Sequence, residues 1–249
     1  METPAEQKPV GSVEQPVKPI EKPAKKHHRL RTTLIVLAII IVVLGVGVAA
    51  TGLITIPGLS DILGTSKPKD LGVKASQEAL TSLEKKMPVT IEGGASELCL
   101  ACNQTYSGVV SVTANRTSEE MTSFLKLWPR QEDDILKNTQ VKFIDGGLEI
   151  STKLHKYIQA PVYVKVLVER TSNKTVRLNI TQGKIGIFSV PDKYLRQATD
   201  FFQDLVNNRL ADVTGFSMDR LEYHDGYSTF SGTYPAVVKP ASGKWTETF

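Results

Sequence analysis

Three hydrophobic patterns succeed one another along the chain. The first is continuous. Leu34 to Ala50 reads LIVLAIIIVVLGVGVAA, with no charged side chain. Carried on through Ile56 it gives about 23 apolar or weakly polar residues, enough to cross a ~30 Å hydrocarbon core at about 1.5 Å per residue. Only a helix satisfies its own backbone in lipid, so the β-branched richness here does not argue for a strand. Pro57 ends the run.

The second pattern is helical. Ser76–Lys86 carries Ala79, Leu80 and Leu83 on one face behind Ser76 as N-cap. Thr117-Ser118-Glu119-Glu120 makes a capping-box pattern before Met121, Phe124, Leu125 and Trp128, which share a face. Asp192–Leu210 predicts the longest helix after the apolar run, with Pro191 in its first turn. Its stripe is Leu195, Ala198, Phe202, Leu205 and Val206, beside Tyr194 and Phe201.

The third pattern alternates. Gly108–Ala114 reads as a strand. Val141–Ile144 and Leu148–Thr152 flank the hairpin signal Asp145-Gly146-Gly147. Val162, Val164, Val166 and Val168 alternate with Tyr163, Lys165, Leu167 and Glu169. Past a turn at Ser172-Asn173-Lys174, Val176, Leu178 and Ile180 do the same. Ser217–Tyr223 and Tyr227–Thr233 form a hairpin turning at Asp225-Gly226. One apolar and one polar face per strand predicts an α+β domain: a curved antiparallel sheet with two or three helices on its apolar face.

Charge fixes the address. Residues 1–31 hold seven basic and four acidic side chains, leaving 23 and 22 for the remainder. Lys25, Lys26, Arg29 and Arg31 precede the apolar run, and the first lysine after it is Lys67. This asymmetry predicts a single-pass cell-membrane protein with a cytoplasmic amino terminus and an extracytoplasmic carboxyl-terminal domain. A cleaved signal peptide is the competing reading; the run exceeds the usual 7–15-residue apolar region of such peptides. The expected organisation is a disordered Pro/Lys-rich tail over 1–31, a transmembrane helix over 32–56, a linker over 57–72 and the outer domain over 73–249. The near-neutral outer part gives no reason to expect a nucleic acid partner.

Catalytic motifs are absent from the sequence: no G-x-S-x-G, no H-E-x-x-H, no phosphate-binding loop. His155 and His224 have no nucleophile assigned to them by spacing. Glu132, Asp133 and Asp134 read as the first turn of a short helix. Cys99-Leu100-Ala101-Cys102 admits a local disulfide, two free thiols, a redox pair or, with His155 and His224, a zinc set. The spacing favours the disulfide. Asn103, Asn115, Asn173 and Asn179 head Asn-x-Ser/Thr triplets, which are glycan acceptors only in a eukaryotic secretory pathway. No cofactor and no metal is expected.

Taken in order, Thr117–Leu125 at a helix start, Val141–Ile150, the paired amphipathic strands and Lys184-Ile-Gly-Ile-Phe-Ser-Val-Pro before a long helix make a pattern. It resembles the YpmS-like family of single-pass bacterial envelope proteins, and more loosely the lipid-binding LmeA-like proteins. The resemblance implies an extracytoplasmic α+β domain holding a lipid or other apolar envelope molecule between a curved sheet and a helix. On the residues, Val162, Val164, Val166, Val176, Leu178 and Ile180 would line that cradle, with Phe201 and Phe202 beneath the helix. The same residues would equally make an ordinary core. The expected function is therefore non-catalytic binding of a lipid-like ligand. The alternatives are a protein–protein scaffold of the envelope and, more remotely, a thiol oxidoreductase.

Overall fold

A computed structural model of the chain describes residues 37–44, 46, 47, 49, 56, 58–62, 65–92, 104–127, 138–154 and 160–240. These fall into two units, one ending at Val43 and one running from Leu44 to Phe249. In the first, residues 37–43 are helical. No helix among the described residues is long and apolar enough to cross a membrane. Several residues of the expected span, 34–36, 45, 48 and 50–55, lie outside the described set, as does the expected tail.

The second unit is α+β. Its helices are α1 (Leu59–Ile62), α2 (Gln77–Lys86), α3 (Ser118–Leu127) and α4 (Asp192–Asp212). Its strands are β1 (Thr90–Ile91), β2 (Gln104–Ser107), β3 (Val110–Thr117), β4 (Gln140–Ile144), β5 (Gly147–Lys153), β6 (Pro161–Arg170), β7 (Val176–Ile185), β8 (Phe188–Ser189), β9 (Ser217–His224), β10 (Tyr227–Tyr234) and β11 (Val237–Pro240). The single antiparallel sheet expected from the pattern is instead three. One has the order β4-β5-β6-β7-β8, one β3-β10-β9, and one β1-β11-β2 with a parallel β1–β11 pair. The last sheet escaped the pattern because its strands are too short to show alternation.

Local signals worked where they were chemically specific. Ser76 accepts from the Ala79 N–H at 3.1 Å and caps α2. The capping box is complete: the Thr117 hydroxyl accepts from the Glu120 N–H at 3.1 Å, and the Glu120 carboxylate accepts from the Thr117 N–H at 2.9 Å. Gly146 and Gly226 take positive φ (74° and 84°) at the two expected hairpin turns. Pro191 stands at the N-cap of α4 rather than inside its first turn.

The helices were expected on the apolar face of the sheet; α4 packs Leu195 and Ala198 there, but α3 differs. α3 buries Ser118, Glu120, Thr122 and Ser123, while Met121, Phe124 and Leu125 are only half-buried. The reason is an open strand edge. A lone edge strand carries unpaired N–H and C=O groups that must be satisfied. The Thr122 hydroxyl accepts from the Val141 N–H at 3.0 Å and donates to the Val141 carbonyl at 3.1 Å, and Ser118 Oγ accepts from the Phe143 N–H at 2.8 Å. The opposite edge, along β7, is treated the same way by α4. Thr199, Gln203 and Asn207 accept from the N–H groups of Ile180, Leu178 and Val176 at 3.1, 3.1 and 2.9 Å. Side chains four apart on a helix thus meet backbone groups two apart on a strand.

Two apolar clusters fill the space between. Val176 packs with Val112, Phe216, Met218 and Phe230, joining β7 to the β3-β10-β9 sheet. Val166, Ile180 and Leu195 pack beneath the start of α4, with Val164, Leu178 and Ala198 around them.

Candidate functional site

The eight residues expected to form one cradle are divided by the fold. Val176 belongs to the first cluster and Val166 and Ile180 to the second; Leu178 touches both, and Val164 flanks the second. Val162 is half-buried near the end of β6. Phe201 and Phe202 point away from the sheet, 62% and 47% exposed, their rings edge to face at 5.3 Å. The helical phase explains it. Leu195, Thr199, Gln203, Val206 and Leu210 face inward or toward the β7 edge, which turns Tyr194, Phe201, Phe202 and Leu205 outward.

Two of the grooves among the described residues measure about 720 and 440 Å³, and none of the eight residues lines either. The larger is lined by apolar residues, Leu167, Val168 and Leu221 among them, and by charged ones, running between Glu169, Arg170 and Arg177 on one side and Asp219, Arg220 and Glu222 on the other. Its charges pair among themselves. Arg220 donates to Glu222 at 2.6 Å and Arg177 to Glu169 at 3.2 Å. The Arg220 hydrogen bond holds the Glu222 carboxyl below its ordinary range. His224 stacks on Tyr227 at 4.7 Å and lies 3.5 Å from Glu222, with no nucleophile among these partners. Among the described residues no group of three or more His, Cys, Asp or Glu could hold a metal ion. Cys99, Cys102, Asn103, Glu132, Asp133, Asp134 and His155 lie outside the described residues. Asn115, Asn173 and Asn179 are at least partly exposed.

A different site emerges where the chain enters the domain. The Leu71 N–H donates to Gln140 Oε1 at 2.7 Å, and Lys69 Nζ sits 3.8 Å above the Tyr163 ring. Gln140, Ser151, Tyr163, Lys184 and Ser189 form one row across β4 to β8. The entering strap therefore lies over one end of the five-stranded sheet. Tyr163 is fixed there by donating its phenol to Glu149 at 2.6 Å, and burial together with that bond raises its pKa. Beyond the row, Ile187 on the β7–β8 turn and Phe188 at the start of β8 are 59% and 47% exposed. Tyr194, in the first turn of α4, is exposed close by in sequence. The sequence contained this signal, since Ile185-Gly186-Ile187-Phe188 puts three large apolar residues around a turn glycine. A strand pattern alone assigns them to the core.

Set against known proteins, the chain matches no family model, no curated protein and no solved structure. The site therefore rests on its own geometry.

Proposed function

We propose that this chain is a single-pass membrane protein whose outer α+β domain binds lipid without catalysis, and does so with exposed apolar side chains rather than an interior cradle. The observation that carries the reading is the apolar helix at residues 37–44. Leu37 and the run Ile39 to Leu44 are all exposed, on every side of the helix. A helix apolar all round calls for a nonaqueous surrounding. The basic flank before it and the lysine-free stretch after it orient the domain outside the cell. This agrees with what the resemblance to YpmS-like proteins implies for location. A second reading, an envelope scaffold, is favoured by one feature: Phe201, Phe202 and Leu205 form an exposed apolar strip on α4.

The test is alkaline extraction of membranes holding the full chain, followed by native mass spectrometry of the detergent-purified protein. The reading expects the chain to stay in the pellet and to carry phospholipid masses. A chain released by carbonate has no anchor. A retained chain free of lipid, crosslinking instead to one envelope protein, favours the scaffold.

A further inference from the structure

We propose that the strap-bearing end of the five-stranded sheet rests on the bilayer surface, with the Ile187–Phe188 turn inserted among the lipids. The inference rests on the membrane anchor proposed above and adds the orientation and contact site of the domain.

Three observations point to the bilayer as occupant. The first is the shortness of the connection. Thr65 Oγ1 donates to the Ala49 carbonyl at 2.7 Å, which ties residue 65 back to a residue of the expected span. Four steps along the chain then lead from Thr65 to Lys69, which is already seated on Tyr163. At ~3.5 Å per extended residue that span is about 14 Å. The sheet end under the strap is thereby held within a short reach of Ala49.

The second is the placement of the turn. Gly186 donates to the Pro161 carbonyl at 2.8 Å and Phe188 pairs with Ile185 in the last row, so Ile187 lies just past the paired rows and Phe188 at their edge, at the same end as Leu71 and Lys69. Ile187 on the two-residue connection and Phe188 at the start of β8 are exposed large apolar side chains that gain little from water. The third is charge. Lys153, Lys184 and Lys193 stand at this end with Lys69, against Asp70 and Asp192. An excess of lysine around an apolar tip suits a surface of anionic headgroups over a hydrocarbon layer.

The test uses the full chain in proteoliposomes of phosphatidylcholine and phosphatidylglycerol. In a background of Trp128→Phe and Trp245→Phe, one chain carries Phe188→Trp and a second Tyr227→Trp. Tyr227 is an exposed residue at the opposite hairpin, beside Gly226, whose N–H donates to the Phe143 carbonyl. Replacing the lipids with brominated ones is expected to quench the Phe188→Trp chain at least two-fold and to leave the Tyr227→Trp chain unchanged. Lys184→Glu with Lys193→Glu is expected to weaken the quenching. If Phe188→Trp fails to fold by circular dichroism, Ile187→Trp replaces it. Equal quenching of both chains, each resisting alkaline extraction, overturns the docking and leaves the anchor standing. A chain that washes off overturns both. A blue shift of the Phe188→Trp emission in micelles that grows with protein concentration assigns the turn to a second copy, and also overturns the proposal.

Discussion

The Asn207 side chain behaves toward Val176 as a neighbouring strand would. Its carbonyl oxygen accepts from the Val176 N–H at 2.9 Å, and its amide donates back to the Val176 carbonyl at 3.0 Å. One side chain thus closes both backbone groups of an edge residue whose own side chain is buried in the first apolar cluster.

Asn207→Leu keeps the volume and removes both bonds. Each backbone group left unpaired away from water costs about 1–3 kcal/mol, so the variant is expected to lose at least that much in urea unfolding. Amide exchange at Val176 should accelerate with it. Asn207→Asp keeps the acceptor and loses the donor, and is expected to fall between the two. Equal stability of all three proteins would mean the β7 edge is satisfied by solvent.

Glu120 supplies a pH dependence with a defined sign. Burial pushes its carboxyl pKa up, but bonds from Lys86, Ser82 and the Thr117 N–H outweigh this and leave it below the ordinary value. A carboxyl lowered by folding stabilises the protein above the unfolded value, and that contribution disappears as pH falls through the folded one. The wild-type urea midpoint should therefore drop more steeply below about pH 4.5 than that of Glu120→Gln. Lys86→Met, which removes the charged partner of a buried carboxylate, should cost roughly 2 kcal/mol at pH 7.

The two aromatic residues that amphipathic spacing places beneath α4 provide a direct check on its rotation. Phe202→Ser should leave stability within about 0.5 kcal/mol, as surface changes do. Leu195→Ala, which empties part of the second cluster, should cost about 2–5 kcal/mol. If the costs are reversed, the helix is turned the other way on the sheet.

Glycines at the hairpins should rank by the space around them. A Cβ on Gly147 would lie 2.1 Å from the Val166 carbonyl oxygen, so Gly147→Ala must part β5 from β6. That strain should cost upwards of about 3 kcal/mol. Gly226 has open space and a φ of 84°, so Gly226→Ala should pay only the left-handed backbone penalty of about 1–2 kcal/mol. Thermal unfolding of the pair reads the difference.

Much of the strand order was legible because the β4–β5 and β9–β10 hairpins each carry an Asp-Gly pair between alternating runs, and Ser172-Asn173-Lys174 marks the β6–β7 turn. The helices were legible in extent, and α2 buries Leu80 and Leu83 as its spacing predicts, but the face of α3 and part of that of α4 were misleading. Amphipathic reading assumes that a helix buries its apolar stripe, yet Thr122 and Ser123 are fully buried while Phe201 is not. A helix serving a strand edge buries hydrogen-bonding side chains instead, and a polar residue every fourth position was the overlooked sign. The candidate site was illegible for another reason. Val162 and Phe188 are equally apolar in sequence, and only the course of the strap from Thr65 to Leu71, over Gln140 and Tyr163, sets one end of the sheet apart.

The rungs at Thr199, Gln203 and Asn207 also act as a vernier. Four helical residues advance about 6.0 Å, whereas two strand residues advance about 6.6 Å. The two scales therefore drift by ~0.6 Å at every rung, reaching ~1.2 Å across the three. The next positions on the helical scale are Leu195 and Ala211, and neither bears a side chain that can form a rung. Leu195 packs against Gly183, and the Ala211 carbonyl accepts from Lys174 at 3.2 Å. The ladder thus ends where the side chains that can form rungs end, and within its three rungs the drift between the two periodicities stays small enough for each bond to close.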